Sequence, residues 1–287
     1  MEIFEEMEEK FVETNGIKLH TIIIGSGEPL MLLHGFPDCW YGWKDIILGL
    51  KDKYKLVVPD TRGINLSDRP EGVENYTVEI LVEDIKALSE TLKLGKFSLA
   101  GHDWGGIIAS VFAEKYPELL KNLILTNGPH LVHFKKCIRT DKSQQKASSY
   151  MKMFVKPEAE KMFLQKNMQL LKVALLESPK RKIPLSEFDR KVYIDAWSQP
   201  GAINAGLNYY RTTFVEFPEV ETNWTGIINV PTLVIHGMKD NAITLVTIEG
   251  LSEYIKDLKI VKVENTTHWV MAEKPEIVIS NIKEFIG

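Results

Sequence analysis

The chain has 287 residues, of which 44% are hydrophobic, enough to bury the core of a large α/β domain. Its net charge is −4 and its lysines and arginines form no stripe or block, which argues against nucleic acid as a partner. No apolar run reaches the roughly 20 residues of a membrane-spanning helix, and the acidic stretch Met1–Lys10 lacks the apolar centre of a signal peptide. We therefore expect a cytoplasmic protein with no membrane partner.

The two cysteines, Cys39 and Cys137, lie far apart in the chain and show no metal-ligand spacing. We expect both to be reduced thiols, with a disulfide between them as the alternative. The sequence predicts neither a metal nor an organic cofactor.

Short apolar runs and helical patterns alternate along most of the chain. In chain order the patterns predict a turn and strand at Gly16–Ile24, a strand at Leu30–Leu33, a helix at Ile46–Leu50, a strand at Lys55–Val58, a helix at Val78–Leu94, a strand at Phe97–Ala100 followed by a helix, strands at Leu123–Thr126 and Pro231–Ile235, a helical stretch to Ile255, a strand at Ile260–Val263 and a helix at Pro275–Ile286. Such alternation predicts an α/β fold, a mostly parallel sheet flanked by helices on both faces.

One region interrupts this alternation. Residues 129–225 lack continuous apolar strands and carry helical patterns at Tyr150–Phe163, Ser186–Trp197 and Ala202–Phe214. We predict a core domain formed by residues 1–128 and 226–287, with residues 129–225 as a helical lid inserted between two strands. Insertions at the carboxyl ends of sheet strands commonly cover ligand sites.

The run Gly101–Gly106 (Gly-His-Asp-Trp-Gly-Gly) joins a predicted strand to a predicted helix. It has the layout of a nucleophile elbow, in which a strained turn lifts one side chain above the sheet. Asp103 occupies the nucleophile position, which excludes a serine esterase. A carboxylate there can displace a leaving group from an electrophilic carbon and form an ester. The alternative is that Asp103 merely caps the helix, but the density of glycines favours the nucleophile.

An ester intermediate needs a base that activates water. His268 follows a predicted strand in a polar loop and is the preferred base, whereas His102 is expected to point away from Asp103 and pack structurally. Asp240 follows the preceding strand and is predicted to orient His268, in preference to the uncharged Asn127.

The charge that develops when water attacks the ester needs hydrogen-bond donors. We expect them to be the backbone N–H groups of Phe36, which follows a strand, and Trp104, which follows the nucleophile. Pro37 is expected to follow a cis peptide bond that turns the Phe36 N–H inward.

Together these stretches resemble the epoxide hydrolases of the α/β-hydrolase superfamily, over nearly the whole chain. The matching segments are His34–Pro37 with Trp40 and Trp43, Asp60–Gly63 with Ser67, Gly101–Gly106, Asp240 and His268–Trp269. The resemblance implies the α/β-hydrolase fold and two lid tyrosines, Tyr150 and Tyr210, that donate hydrogen bonds to the epoxide oxygen. Tyr209 and Tyr193 are the reserve candidates for that role.

Several apolar side chains are predicted to line the substrate pocket beside Phe36 and Trp104, although ordinary core packing is the alternative for each. They are Trp40, Met153, Phe154 and Trp269.

The function predicted from the sequence is hydrolysis of an epoxide to a vicinal diol through an ester on Asp103. The partners would be a small apolar epoxide and water, with a homodimer left open. The nearest alternative is a haloalkane or haloacetate dehalogenase with the same nucleophile. Trp104 would suit a haloalkane dehalogenase, but Phe36 stands where such enzymes usually carry a halide-binding Asn. Haloacetate dehalogenases carry a carboxylate-binding Arg at the position of Trp104. A non-catalytic ligand-binding protein of the same fold is the second alternative.

Overall fold

The structure, a computed structural model, describes residues 6–177, 185–215 and 224–287. Its centre is a sheet of eight strands within these residues, in the spatial order β1-β2-β4-β3-β5-β6-β7-β8. The strands are β1 (Glu8–Glu13), β2 (Lys18–Ile24), β3 (Glu28–Leu33), β4 (Tyr54–Pro59), β5 (Phe97–His102), β6 (Leu120–Thr126), β7 (Thr232–Gly237) and β8 (Leu258–Val263).

The sheet is mostly parallel, as the alternating pattern predicts. β3 to β8 pair in parallel, and β2 alone joins its neighbours β1 and β4 in antiparallel registers. β5 lies at the middle and is buried along its whole length. Because parallel strands are covered on both faces, they read as continuous apolar runs, which is why the sequence identifies them.

Helices cover the sheet and make up most of the described part of the segment between β6 and β7. They are α1 (Lys44–Leu50), α2 (Val78–Thr91), α3 (Trp104–Lys115), α4 (Leu131–Thr140), α5 (Lys142–Ala147), α6 (Met151–Phe154), α7 (Ala159–Leu171), α8 (Glu187–Ser198), α9 (Ala202–Tyr210), α10 (Val270–Glu273) and α11 (Pro275–Ile286). α7 and α9 each continue into a π-helical turn, at Lys172–Leu176 and Arg211–Val215. None of the helices in the described part of the chain is long and apolar enough to cross a membrane.

One strand of the core was not predicted, and one predicted helix is wrong. β1 is an additional strand, missed because it is a charged edge strand in which Val12 alone is buried. The helical stretch predicted up to Ile255 is instead two 3₁₀ turns, Leu245–Thr247 and Leu251–Glu253. Gly250 between them has φ 84°, a left-handed conformation that ends a helix.

The predicted insertion is helical where it is described, but its elements are shorter than their patterns. The helix predicted at Tyr150–Phe163 is broken at Val155–Glu158, around Pro157. The helix predicted from Ala202 leaves the α-helical path at Tyr210. Residues 178–184 and 216–223 of the predicted lid, and residues 1–5 of the acidic start, lie outside the described residues. The division into core and lid domains remains a prediction.

Candidate active site

Five side chains or backbone groups of interest meet at one edge of the sheet, because each follows the carboxyl end of a parallel strand. Phe36 follows β3, Asp103 follows β5, Asn127 follows β6, Asp240 follows β7 and His268 follows β8. In parallel sheets this edge is where ligands bind. The residues are distant in the sequence, and the strand order alone brings them together.

Asp103 sits on a strained turn between β5 and α3, with φ 51° and ψ −118°. Close backbone packing enforces the turn: a Cβ atom on Gly105 would lie 2.1 Å from the carbonyl oxygen of Leu33. Within the described residues, the Asp103 side chain makes no capping hydrogen bond to α3. The helix-cap interpretation therefore fails, and the carboxylate is directed to the sheet edge instead.

The Asp103 carboxylate has two polar neighbours. Its Oδ1 accepts a hydrogen bond from the backbone N–H of Phe36 at 2.9 Å, after which the chain turns through the predicted cis bond to Pro37. Its Oδ2 lies 3.5 Å from Nε2 of His268, a long contact that involves no strong hydrogen bond. Trp104 is the first residue of α3, so its N–H lacks a partner within the helix and adjoins the carboxylate in sequence.

Asp240 contacts the other ring nitrogen of His268. Its Oδ2 lies 2.8 Å from Nδ1 of His268, and its Oδ1 accepts the backbone N–H groups of Ala242 and Ile243 at 2.7 and 2.9 Å. Asn127, which the sequence sets aside as a rival of Asp240, donates from Nδ2 to the same carboxylate at 2.6 Å. Asn127 therefore helps to hold Asp240 in place and does not replace it. Both residues follow neighbouring parallel strands, and this was the sequence signal that could have predicted their contact.

His102 packs beneath this pair instead of entering it. Its Nε2 lies 3.0 Å from the carbonyl oxygen of His268, and its ring is 4.8 Å from the His268 ring and 5.3 Å from that of Trp269. Burial lowers the pKa of His102 to about 4, which keeps its ring neutral. A neutral, packed His102 agrees with the structural role predicted for it.

The charges of the three groups depend on one another. Burial alone would lower the pKa of His268, but the negative charges of Asp240 and Asp103 and the hydrogen bond to Asp240 raise it to about 10. Burial alone would raise the pKa of Asp240, yet the positive charge of His268 brings it down to about 2. The positive charge of His268 and the hydrogen bond from the Phe36 N–H similarly overcome burial and lower the pKa of Asp103. In the resting site an imidazolium therefore lies between two carboxylates.

This arrangement predicts how stability depends on pH. The folded-state pKa of His268 is raised above its ordinary value of 6.5, so its stabilising contribution is complete below that pH and is lost as pH rises toward about 10. The free energy of unfolding of wild type should exceed that of His268→Gln most below pH 6.5, with the difference shrinking toward pH 10. Urea titrations at a series of pH values measure it, and a difference that grows with pH would contradict the charge assignment.

Tyr150 and Tyr210, in the segment between β6 and β7, both lie close enough to Asp103 for its charge to affect their pKa. Their rings lie 6.3 Å apart, and Tyr210 also packs edge-on against Trp104 at 5.0 Å. Burial raises the pKa of both phenols, and the negative charge of Asp103 adds to the rise. Both therefore stay protonated at neutral pH and can act as hydrogen-bond donors.

The two reserve tyrosines are engaged elsewhere. The hydroxyl of Tyr209 donates to the carbonyl oxygen of Arg62 at 2.6 Å and lies 3.1 Å from Oγ1 of Thr61. The ring of Tyr193 packs against Tyr41 and Trp197, with centroids 5.8 and 6.0 Å apart. The geometry therefore favours Tyr150 and Tyr210 over both.

Apolar rings surround the two facing tyrosines. Phe154 is central, with its ring 4.9 Å from Tyr150, 5.0 Å from Tyr210 and 6.1 Å from Phe36. Phe163, which the sequence did not single out, completes this cluster at 5.0 Å from Phe154. Its helical pattern gave no sign that it faces the site.

The other predicted pocket residues lie at different depths. Trp40 is buried in the turn after Pro37, where its ring packs on Tyr41 at 5.2 Å. Met153 is partly buried on α6. Trp269 lies against the His268 ring at 5.1 Å, and its indole N–H donates to the carbonyl oxygen of Ala174. A role in substrate binding remains a prediction for all of them.

Among the described residues, no group of three or more His, Cys, Asp or Glu side chains is arranged to hold a metal ion.

Comparison with known proteins identifies the family. Residues 28–275 match the family model described as alpha/beta hydrolase fold. The chain is 37% identical to the AB hydrolase superfamily protein YfhM of Bacillus subtilis, covering 96% of this chain and 97% of that protein. It is 32% identical to Epoxide hydrolase 1 of Caenorhabditis elegans, over 99% of this chain and 72% of that protein.

Solved structures agree with this result. A Bacillus megaterium epoxide hydrolase, crystallised with an inhibitor, superposes with a TM-score of 0.89 at 33% identity, covering 96% of this chain and 99% of its own. Epoxide hydrolase VrEH1 from Vigna radiata gives 0.84 at 30% identity, covering 98% of each chain. On its sequence, its fold and these relatives, the chain belongs to the epoxide hydrolase family of the α/β-hydrolase fold superfamily.

Proposed function

We propose that the protein hydrolyses epoxides to vicinal diols through a covalent ester on Asp103. One observation carries the proposal: the buried Asp103 carboxylate lies 3.5 Å from an imidazole held by a second carboxylate, and close enough to two protonated phenols for its charge to affect their pKa. Relatives of this chain named epoxide hydrolases support the substrate class.

In the first step, Oδ2 of Asp103 attacks one carbon of the epoxide ring and the bond from that carbon to the ring oxygen breaks. The phenols of Tyr150 and Tyr210 donate hydrogen bonds to the departing oxygen, and one of them transfers its proton to it, which leaves a hydroxyl on the substrate and a transient phenolate. Oδ1 is the better candidate for the carbonyl oxygen of the ester, because the Phe36 N–H already holds it.

Ester formation removes a negative charge from the site, and this lets His268 become a base. It neutralises Asp103, and so removes one of the two carboxylates that raise the pKa of His268. The imidazolium can then release its proton, which restores the neutral phenol, and become a base, with Asp240 still fixing its orientation. Covalent attachment of the substrate thereby prepares the base for the second step.

In the second step, His268 takes a proton from water, whose oxygen attacks Cγ of Asp103. Negative charge develops on Oδ1, where the N–H groups of Phe36 and Trp104 stabilise it. The bond from Cγ to Oδ2 breaks, and Oδ2 takes the proton from the His268 imidazolium and leaves with the diol. The carboxylic acid that remains on Asp103 carries the water oxygen and gives its proton to His268, which restores the carboxylate and the imidazolium. Residues 129–225 act in this scheme as the lid that brings the tyrosines to the nucleophile.

A substrate panel tests the proposal against the dehalogenase alternative. Incubation with styrene oxide should yield the vicinal diol, whereas a bromoalkane and fluoroacetate should release no halide. Halide release without diol formation would overturn the proposal in favour of a dehalogenase. Recovery of every compound unchanged would favour the non-catalytic ligand-binding alternative.

A further inference from the structure

Gln144 is a fully buried amide that none of the proposed catalytic steps uses. It lies in α5, with 0% of its surface exposed and four hydrogen bonds to its side chain. Burying an amide at such depth is costly unless every polar atom finds a partner. Its partners therefore show what this residue holds in place.

The amide connects two segments that carry site residues. Its Nε2 donates to Oγ of Ser148 and to the carbonyl oxygen of Ala242, both at 2.8 Å. Its Oε1 accepts from the backbone N–H and the hydroxyl of Thr244, at 2.9 and 2.8 Å. Since the Ala242 carbonyl can only accept and the Thr244 N–H can only donate, the network fixes the orientation of the amide.

Each segment leads directly to a site residue. Ser148 begins the 3₁₀ turn Ser148–Tyr150, which ends at Tyr150, one of the two proposed phenol donors. Ala242 belongs to the loop after β7, and its N–H donates to Asp240. Gln144 thus ties the turn that carries Tyr150 to the loop that carries Asp240.

The Asp240 loop and the turn Ser148–Tyr150 differ in how far their side-chain hydrogen bonds depend on Gln144. Asp240 keeps hydrogen bonds from Ile243 and Asn127, besides Ala242, without any help from Gln144. The hydroxyl of Ser148 is held by Gln144, in a short turn at the start of α6. Removing the amide should therefore displace Tyr150 more than Asp240.

We propose that Gln144 is a positioning residue for ring opening, which holds the Tyr150 hydroxyl at the nucleophile by fixing the turn Ser148–Tyr150 on the Asp240 loop. The inference rests on the proposed function, because it assigns Tyr150 to the first step. It separates the two steps: loss of Gln144 slows ester formation and leaves ester hydrolysis nearly unchanged.

The test is a single-turnover experiment with excess enzyme and styrene oxide, in which rapid quenching and mass spectrometry follow the ester as it forms and decays. Gln144→Ala should slow ester formation by about tenfold or more, since small displacements of a reacting group are costly. Ester decay should stay within about twofold of wild type, a change too small to reflect loss of a positioned group. The control is the neighbouring variant Gln145→Ala. It removes an exposed amide that donates a hydrogen bond to the carbonyl oxygen of Arg139, and it should change neither rate.

Two further variants separate positioning from general destabilisation. Ser148→Ala removes only the acceptor in the turn and should reproduce the slower ester formation even where Gln144→Ala folds poorly. In a Tyr150→Phe background, Gln144→Ala should slow ester formation no further, because the group that it positions is gone.

Three outcomes would overturn the inference: ester formation at the wild-type rate in Gln144→Ala and Ser148→Ala, an equal loss in both steps, or a full additional loss in the Tyr150→Phe background. Diol formation by wild type with no detectable ester would instead reject the ester mechanism of the proposed function, and the inference with it.

Discussion

The variant His268→Gln should accumulate a covalent ester on Asp103 when it is mixed with an epoxide. Glutamine cannot accept the proton of the attacking water, so the second step loses its base, whereas the first step needs only the carboxylate and the phenols. Turnover should fall by about 10²–10⁴-fold, the range for loss of a general base. Intact-protein mass spectrometry should show an added mass of one substrate molecule.

The matched control is Asp103→Asn, which keeps the size of the side chain but removes the nucleophile. It should form no adduct, either alone or combined with His268→Gln, and proteolysis of the single variant His268→Gln should place the added mass on the peptide that contains Asp103. An unmodified His268→Gln protein during single turnover would argue against the scheme. An adduct on another peptide would do the same.

Removing both phenols should have the second large effect. In Tyr150→Phe/Tyr210→Phe the departing oxygen loses its donors, while the rings stay to fill the aromatic cluster around Phe154. Loss of one such donor typically costs about 10²–10³-fold, so we expect ester formation to slow by at least that factor. Quenched single-turnover measurements of the ester provide the rate.

The two single variants refine this result. The hydroxyls influence each other's pKa, so the effects of Tyr150→Phe and Tyr210→Phe should not be additive. Tyr209→Phe is the control, because its hydroxyl is bonded to Arg62 and lies outside the proposed chemistry. Ester formation at the wild-type rate in the double variant would remove both tyrosines from the mechanism.

The sequence predicted the central part of the fold because buried parallel strands leave continuous apolar runs. It also predicted that Asp103, Asp240 and His268 would meet, since each follows a strand and parallel strands share one carboxyl edge. The edge strand β1 was not predicted, because all its residues except Val12 are exposed and the strand therefore has no apolar run. The two 3₁₀ turns before β8 were predicted as one helix, because the spacing of apolar residues does not distinguish a continuous helix from short helical turns.

The polar network behind the site could not be predicted in the same way. Gln144 accepts hydrogen bonds from Thr244, 100 positions away, and a glutamine in the polar segment Lys142–Ala147 looks like a solvent-exposed residue. Asn127 was visible at the right edge of the sheet, but only the coordinates show it donating to Asp240. Local patterns therefore predicted the reacting groups better than the groups that hold them in place.

The central claim is that the reaction passes through an ester of Asp103, and the origin of the oxygen in the diol tests it most directly. A single turnover in ¹⁸O-labelled water, with wild-type enzyme in excess over styrene oxide, should give a diol without the label and leave ¹⁸O in the carboxylate of Asp103. Direct attack of water on the epoxide would instead place the label in the diol during that first turnover and leave Asp103 unlabelled, which would contradict the mechanism.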